Sequence, residues 1–256
     1  MFRCELGPPE CLRAALFGLV LLLPCGAEAQ TTTQLWINTT FDWVKTDRLT
    51  YSLDVEPKVL LAAPPDQPGW RNLDITPSIE YSATRWMDVV GDLVTGVTHQ
   101  TDDVSTTELT LRGGLRFHLF SRQARPVFRE LPSKRRLVIR DLVRWEWRNF
   151  FYTNDQPMDS TGRLRNRLEL LYPINRPNLT ADGTIHAIAD WEWFIPFGDP
   201  SERFANRRRL RLGAGYRRNR AWRYTALYMR TSSRDTINEP FTTSENIFNF
   251  QVKRVW

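Results

Sequence analysis

Cysteine is confined to the start of this chain. Cys4, Cys11 and Cys25 are its three cysteines, and all precede residue 30. That opening stretch reads as a secretory signal peptide over residues 1–29, because Arg3 and Arg13 lie ahead of or beside the apolar run 14–23 and the small-residue site Ala27-Glu28-Ala29 points to cleavage before Gln30. Glu5 and Glu10 make its basic region atypical. A retained apolar helix is the alternative, and Pro24 and Gly26 end the run too early for it to span a bilayer. A lipoprotein signal ending at Cys25 is disfavoured by Pro24, which stands where a small residue is expected. The exported chain, residues 30–256, then carries no thiol, so strand pairing and packing must hold it together.

Other absences narrow the class further. No run of 18 apolar residues follows residue 29, which excludes a membrane protein built of helices but not one built of strands, each only half apolar. No Gly/Ser-rich or Pro-rich linker divides the chain, and the densest proline stretch, 57–68, is loop-sized, so residues 30–256 read as one domain. There is no glycine-rich phosphate loop after a strand and no His-Glu or paired-Cys metal motif, so neither a cofactor nor a metal is expected. Removing residues 1–29 takes away two basic and three acidic side chains and moves the formal charge from +6 to +7.

What the chain has in abundance is period-two alternation. In residues 207–218, Arg207, Arg209, Arg211, Gly213, Gly215 and Arg217 fall on one side and Arg208, Leu210, Leu212, Ala214 and Tyr216 on the other. A strand sends successive side chains to opposite faces, so this segment has one wet, cationic face and one mainly apolar face. The same pattern recurs from Leu35 and Ile37 through Leu109, Leu111 and Leu115 to Phe248 and Phe250. Pro77 interrupts one such segment and predicts a distortion there, since proline cannot donate to a ladder. Charge is densest in the middle: Arg136, Arg140, Arg144, Glu146 and Arg148 share a face, Arg163, Arg165, Arg167 and Glu169 share the next, and Asp190 and Glu192 follow. Neighbouring strands thus offer guanidinium and carboxylate groups at positions where cross-strand pairs form.

Two architectures produce such strands, a soluble antiparallel sheet and a membrane barrel with an apolar outside and a polar inside. The spacing of the connections favours the barrel. Short links at 45–48, 83–86 and 218–221 alternate with longer ones at 59–69, 101–107 and 232–245, as short periplasmic turns alternate with longer external loops. Trp43, Trp70, Trp86, Trp222 and Trp256 lie near strand ends, where rings would sit at headgroup level. Hydrocarbon leaves no acceptor for an open sheet edge, so the sheet must close. The expected fold is therefore all-β, an antiparallel transmembrane β-barrel. Eleven segments alternate, but bacterial single-chain barrels use even numbers, so about twelve strands are expected, with ten as the alternative. A periplasmic N-terminus would also make the 45–48 link external, against the sorting by length.

Several landmarks, taken in order, match a known family: Gln34-Leu35-Trp36-Ile37; Trp70-Arg71-Asn72-Leu73 followed by Pro77-Ser78-Ile79-Glu80-Tyr81; Arg163-Leu164-Arg165-Asn166-Arg167-Leu168-Glu169; and Asn206-Arg207-Arg208-Arg209-Leu210 leading to Gly213-Ala214-Gly215-Tyr216-Arg217. Together they resemble the bacterial family called domain of unknown function 2490, whose members look like outer-membrane β-barrels. The resemblance spans essentially all of residues 30–256 and implies a location in the bacterial outer membrane, with membrane lipids and the insertion machinery as partners. It supplies no agreed activity and no catalytic residues. Phe248, Phe250 and the terminal Trp256 resemble the aromatic C-terminal signal by which such proteins are recognised for insertion.

Two functional readings follow for the arginine face. If Arg144, Arg148, Arg165, Arg167, Arg207, Arg209, Arg211 and Arg217 line water, they raise the local anion concentration and make a passive, porin-like path for small anionic solutes. The alternative is that Glu146, Glu169, Asp190 and Glu192 interlock with them and leave a non-conducting structural or interaction barrel. An enzyme is the lesser expectation: His118 or His186 with a Ser or Asp could form a hydrolase base, and Glu146 with Glu169 a carboxylate pair, but arginine surroundings keep carboxylates ionised. A soluble lipocalin-like carrier would need the aromatic face inside and the arginines in solvent. Nucleic acid is not an expected partner, since arginines alternate with acids and an exported chain rarely meets it.

Overall fold

The computed structural model describes residues 31–65, 67–101, 105–120, 136–154, 156–197, 207–234 and 240–256. The expected signal peptide and the basic 122–135 link lie outside the described residues. Each alternating segment is a strand: β1 (Thr32–Val44), β2 (Leu49–Ala62), β3 (Trp70–Ser82), β4 (Met87–Gln100), β5 (Ser105–Phe120), β6 (Val138–Tyr152), β7 (Asp159–Pro173), β8 (Thr184–Phe197), β9 (Arg207–Arg217), β10 (Trp222–Ser233) and β11 (Thr242–Val255). Successive strands pair in order and β1 pairs with β11, so the sheet closes into a barrel. The transmembrane β-barrel expected from alternation is what the chain forms.

The strand number differs from the expected twelve or ten. Among the described residues there are eleven strands, and the seam explains how an odd number closes. β1 and β11 run parallel, in a register from Thr32–Glu245 to Asp42–Val255, whereas every other neighbouring pair is antiparallel. An even count is required only when every seam is antiparallel. The parallel seam puts the start of β1 and the end of β11 at opposite rims. The short links 45–48, 83–86 and 218–221 share the rim where β11 ends, which removes the conflict over the first connection. Sorting by length is nonetheless incomplete, because the longer 121–137 and 174–183 links join strands at that same rim.

Pro77 is accommodated without a register shift. It stands opposite Leu53 on β2, while the β3–β4 ladder runs to Ile75–Thr95 and resumes at Ser78–Asp92, so the missing N–H falls where that ladder is interrupted. Shifts in register occur elsewhere, at Thr33/Gln34, His118/Phe120 and Thr231/Ser232.

Burial is inverted relative to a water-soluble sandwich. Large apolar side chains are exposed on the outer wall, among them Leu111, Leu212, Ile195, Trp147 and Phe250, while Glu146, Glu192, Asp190, Arg209 and Arg211 are buried within. This arrangement excludes the lipocalin-like alternative, whose aromatic face would point inwards. Aromatic rings gather on the wall near both rims. Trp43 stacks on Trp256 at 5.5 Å and Trp86 on Phe117 at 5.8 Å near one rim, and Trp147, Trp193 and Phe197 approach the other. A small apolar cluster does occupy the interior, where Val138, Leu171, Leu179, Ile188, Leu227, Met229 and Ile247 meet, with Trp36 against them. Gly213 makes room for it, because a Cβ there would lie 2.1 Å from the Ala226 carbonyl oxygen and 2.8 Å from a Leu227 methyl.

Candidate functional site

The charged interior follows from register. Glu146 on β6 stands opposite Arg112 on β5 and Arg163 on β7, so one carboxylate is flanked by guanidiniums from both neighbours. Glu192 on β8 likewise stands between Arg167 on β7 and Arg209 on β9, and Asp190 lies opposite Arg211. Diagonal reach adds further contacts, since long side chains on one face span to positions two residues away on the next strand.

Around Glu146 the ion pairs join into one chain from Arg112 to Arg209, and separate pairs stand beside it. Glu146, 1% exposed, accepts from Arg163 Nε at 2.5 Å and Arg165 Nη1 at 3.2 Å and forms an ion pair with Arg144 Nη2 at 3.2 Å. Arg165 also donates to Glu192, whose other oxygen faces Arg209 Nη1 at 3.6 Å. Asp190 accepts from Arg211 Nε at 2.6 Å, and Glu169 accepts from Arg140 Nε at 2.6 Å. Arg144 reaches across β5 to Asp92 at 3.4 Å, which itself holds Arg112. Toward the rims, Arg148 pairs with Glu108 at 3.0 Å, Arg207 with Glu245 at 3.4 Å and Arg217 with Asp182 at 3.8 Å. Taking these groups out of water is costly unless each charge is met by a partner, and the pairings supply those partners.

Of the eight arginines read from the sequence as facing the interior, seven therefore make ion pairs. Arg167 makes no direct ion pair among the described residues and leaves its Nε buried without a hydrogen-bond partner. The acidic residues Glu146, Glu169, Asp190 and Glu192 all lie inside and all pair with arginine. Sequence reading missed several members of the network, including Lys58 between Glu56 and Asp74, Arg116 with Glu80, and Lys253 with Asp42. Their alternation was visible, but on strands with isolated charges rather than runs.

Phe194 was also missed. Its ring faces the interior, with the guanidiniums of Arg163, Arg165 and Arg209 at 4.8, 4.9 and 5.5 Å from its centroid. Trp36 adds a second interior ring, 5.2 Å from Arg209 and 4.5 Å from Lys58 Nζ. Such rings stabilise desolvated cations through their quadrupole and exclude water from around them.

The residues weighed for catalysis lie in separate parts of the interior, and one of the two histidines meets a carboxylate. His118 Nε2 lies 2.6 Å from Asp88 Oδ2, between β5 and β4. His186 stands on β8 opposite Gly215 of β9, where a Cβ would meet its ring at 2.3 Å. Glu146 and Glu169 each have their own arginines rather than facing each other as an acid and base. Among the described residues no group of three His, Cys, Asp or Glu could hold a metal ion.

At the C-terminus, Trp256 donates its N–H to Asp42 O at 2.9 Å and accepts from Val44 N at 3.1 Å, which extends the seam by one more residue. Phe248 packs on Tyr228 with centroids 5.7 Å apart, and Phe250 lies exposed on the wall.

A family model described as protein of unknown function (DUF2490) matches residues 33–241, from the first strand to the edge of the last. The chain belongs to this family. No curated protein and no solved structure matches it. Family membership agrees with the resemblance read from the motif order, and for this DUF2490 barrel the interior geometry has to carry the functional argument.

Proposed function

We propose that this protein is a non-conducting barrel of the bacterial outer membrane, braced inside by ion pairs, that serves as a structural or interaction element of that membrane. The observation supporting this reading is the network around Glu146, in which one buried carboxylate holds Arg144, Arg163 and Arg165 and connects through Arg165 to Glu192. A guanidinium neutralised by an adjacent carboxylate contributes little positive potential to a path for anions. The rings of Phe194 and Trp36 and the interior apolar cluster fill space that a porin leaves to water. Membrane lipids and the insertion machinery are the partners this reading requires, with Phe248, Phe250 and Trp256 as the insertion signal.

Planar-bilayer conductance of the purified, refolded chain lacking residues 1–29, in several salts, tests the proposal. Heat-modifiable gel mobility on the same sample establishes that the barrel is folded. A folded barrel with no single-channel steps is the expected result. Stable anion-preferring steps that fall when Arg207, Arg209 and Arg211 are neutralised would overturn it in favour of an arginine-lined pore.

A further inference from the structure

Two of the arginines on the outer side of the wall stand close together. Arg208 on β9 and Arg230 on β10 alternate with the inward-facing Arg207, Arg209 and Thr231, so both point outwards, toward lipid. They lie at neighbouring register positions, Arg230 opposite Leu210 and Ser232 opposite Arg208, near the rim where β1 begins. Most interior guanidiniums meet a carboxylate, but these two meet none among the described residues. Among the described residues Arg208 makes no hydrogen bond and lies over aromatic rings, 4.5 Å from the centroid of Phe241 and 6.0 Å from that of Trp191. Arg230 donates from Nε and Nη2 to the hydroxyl of Thr243, and its remaining donors meet no acceptor among the described residues.

The two frame a groove of about 320 Å³ on the outer wall, floored by Trp191, Leu210 and Phe241. The Trp191 indole N–H is buried there without an acceptor. Toward the middle of the wall from the groove, Leu212 is exposed, with Tyr228 opposite it on β10. Cationic donors at the rim above an apolar surface match one kind of molecule, an anionic headgroup attached to acyl chains. Guanidinium groups recognise phosphate through paired N–H donors, and a strip of apolar wall gives the chains a surface to lie along.

The geometry points to a binding site for the phosphate of a lipid headgroup, formed by Arg208 and Arg230, in the leaflet next to the rim where β1 begins. The inference rests on the membrane-embedded wall and is independent of whether the lumen conducts. The site takes a phosphate-bearing lipid from the surrounding leaflet, with acyl chains against Leu210 and Leu212.

Spin-labelled lipids in reconstituted vesicles test it, by comparing the association of phosphatidic acid with that of phosphatidylcholine bearing the same chains. Two arginines at headgroup level give a preference of roughly ten-fold for the phosphomonoester over the zwitterionic headgroup. Arg208→Gln with Arg230→Gln is expected to bring that preference close to unity. Arg208→Lys with Arg230→Lys is expected to keep part of it, and Arg71→Gln, an outward arginine on β3 away from the groove, to leave it intact. Heat-modifiable mobility on every sample separates loss of the site from loss of the fold. Equal association of both lipids with the unaltered barrel, or a preference that survives the double glutamine change, overturns the proposal. Abolition of the preference by millimolar inorganic phosphate overturns the assignment to lipid and indicates a site for free phosphate. A conducting barrel in the bilayer assay would overturn the closed-lumen reading and leave these outcomes unchanged.

Discussion

Glu146 is the residue at which the interior is most sensitive, because three guanidiniums share one carboxylate. Removing its charge leaves those cations buried without that partner, and breaking a buried pair from one side costs about 3 to 5 kcal/mol. Glu146→Gln is therefore expected to lower the unfolding midpoint in denaturant, read by heat-modifiable mobility, while a surface change such as Asp47→Asn does not. The glycines give an ordered series. Gly213→Ala meets a backbone carbonyl and is expected to cost about 1 to 3 kcal/mol. Gly215→Ala meets a side-chain ring, that of His186, rather than backbone, and is expected to cost less. Gly113→Ala meets nothing within 4 Å and is expected to be neutral or slightly stabilising. Unfolding midpoints out of that order would contradict the interior packing described here. At this scale the sequence told which face each arginine takes but not what it meets. Arg165 divides between Glu146 on one neighbouring strand and Glu192 on the other, a choice made by register and rotamer. Phe194 gave no sign of its role, since an aromatic on the polar face breaks the rule by which that face was recognised.

Among the elements, the seam between β1 and β11 is distinct. Parallel pairing is slightly weaker per residue than antiparallel pairing, and this is the one place where the wall depends on it. Hydrogen exchange in detergent is expected to show the amides of β1 and β11 facing each other opening before those between β5 and β6; uniform protection around the barrel would contradict this. Trp256 secures the end of the seam through its two backbone bonds and its stacking on Trp43. Trp256→Ala is expected to cost about 1 kcal/mol in the folded barrel, the scale of an aromatic pair, and to speed exchange at Val44. Strands were the most legible level of this chain. All eleven were visible as alternation, and what pointed away from that count was the rule that bacterial barrels use even numbers, together with the conflict over the 45–48 link. Nothing in the residues of β1 or β11 marks their pairing as parallel, because alternation is identical in either direction. The loop after β7 was less legible. Leu179 is drawn into the interior cluster by a turn in which Asn178 Oδ1 accepts the N–H groups of Thr180 and Ala181, and Gly183 closes it at φ 74°.

For the whole molecule, the two rims are distinguishable by which chain end they carry. The proposed outer-membrane location, with Trp256 as an insertion signal at the periplasmic rim, predicts that the 63–69 link faces the cell exterior and the 218–221 link the periplasm. A cysteine introduced at Gly69 is then expected to react with an impermeant thiol reagent on intact cells, and one at Ala221 only after the outer membrane is permeabilised; the reverse pattern would invert the orientation. The parallel seam also constrains how such a barrel can be remodelled or arise. A barrel of repeated hairpins can gain or lose a hairpin, or be cut in one loop and rejoined at its ends, because both ends lie together. Here the start of β1 and the end of β11 are separated by the full height of the wall. Joining them takes a linker that spans the wall, so a circular permutant of this protein needs such a linker, and an ancestry by whole-hairpin duplication requires one strand gained or lost on its own.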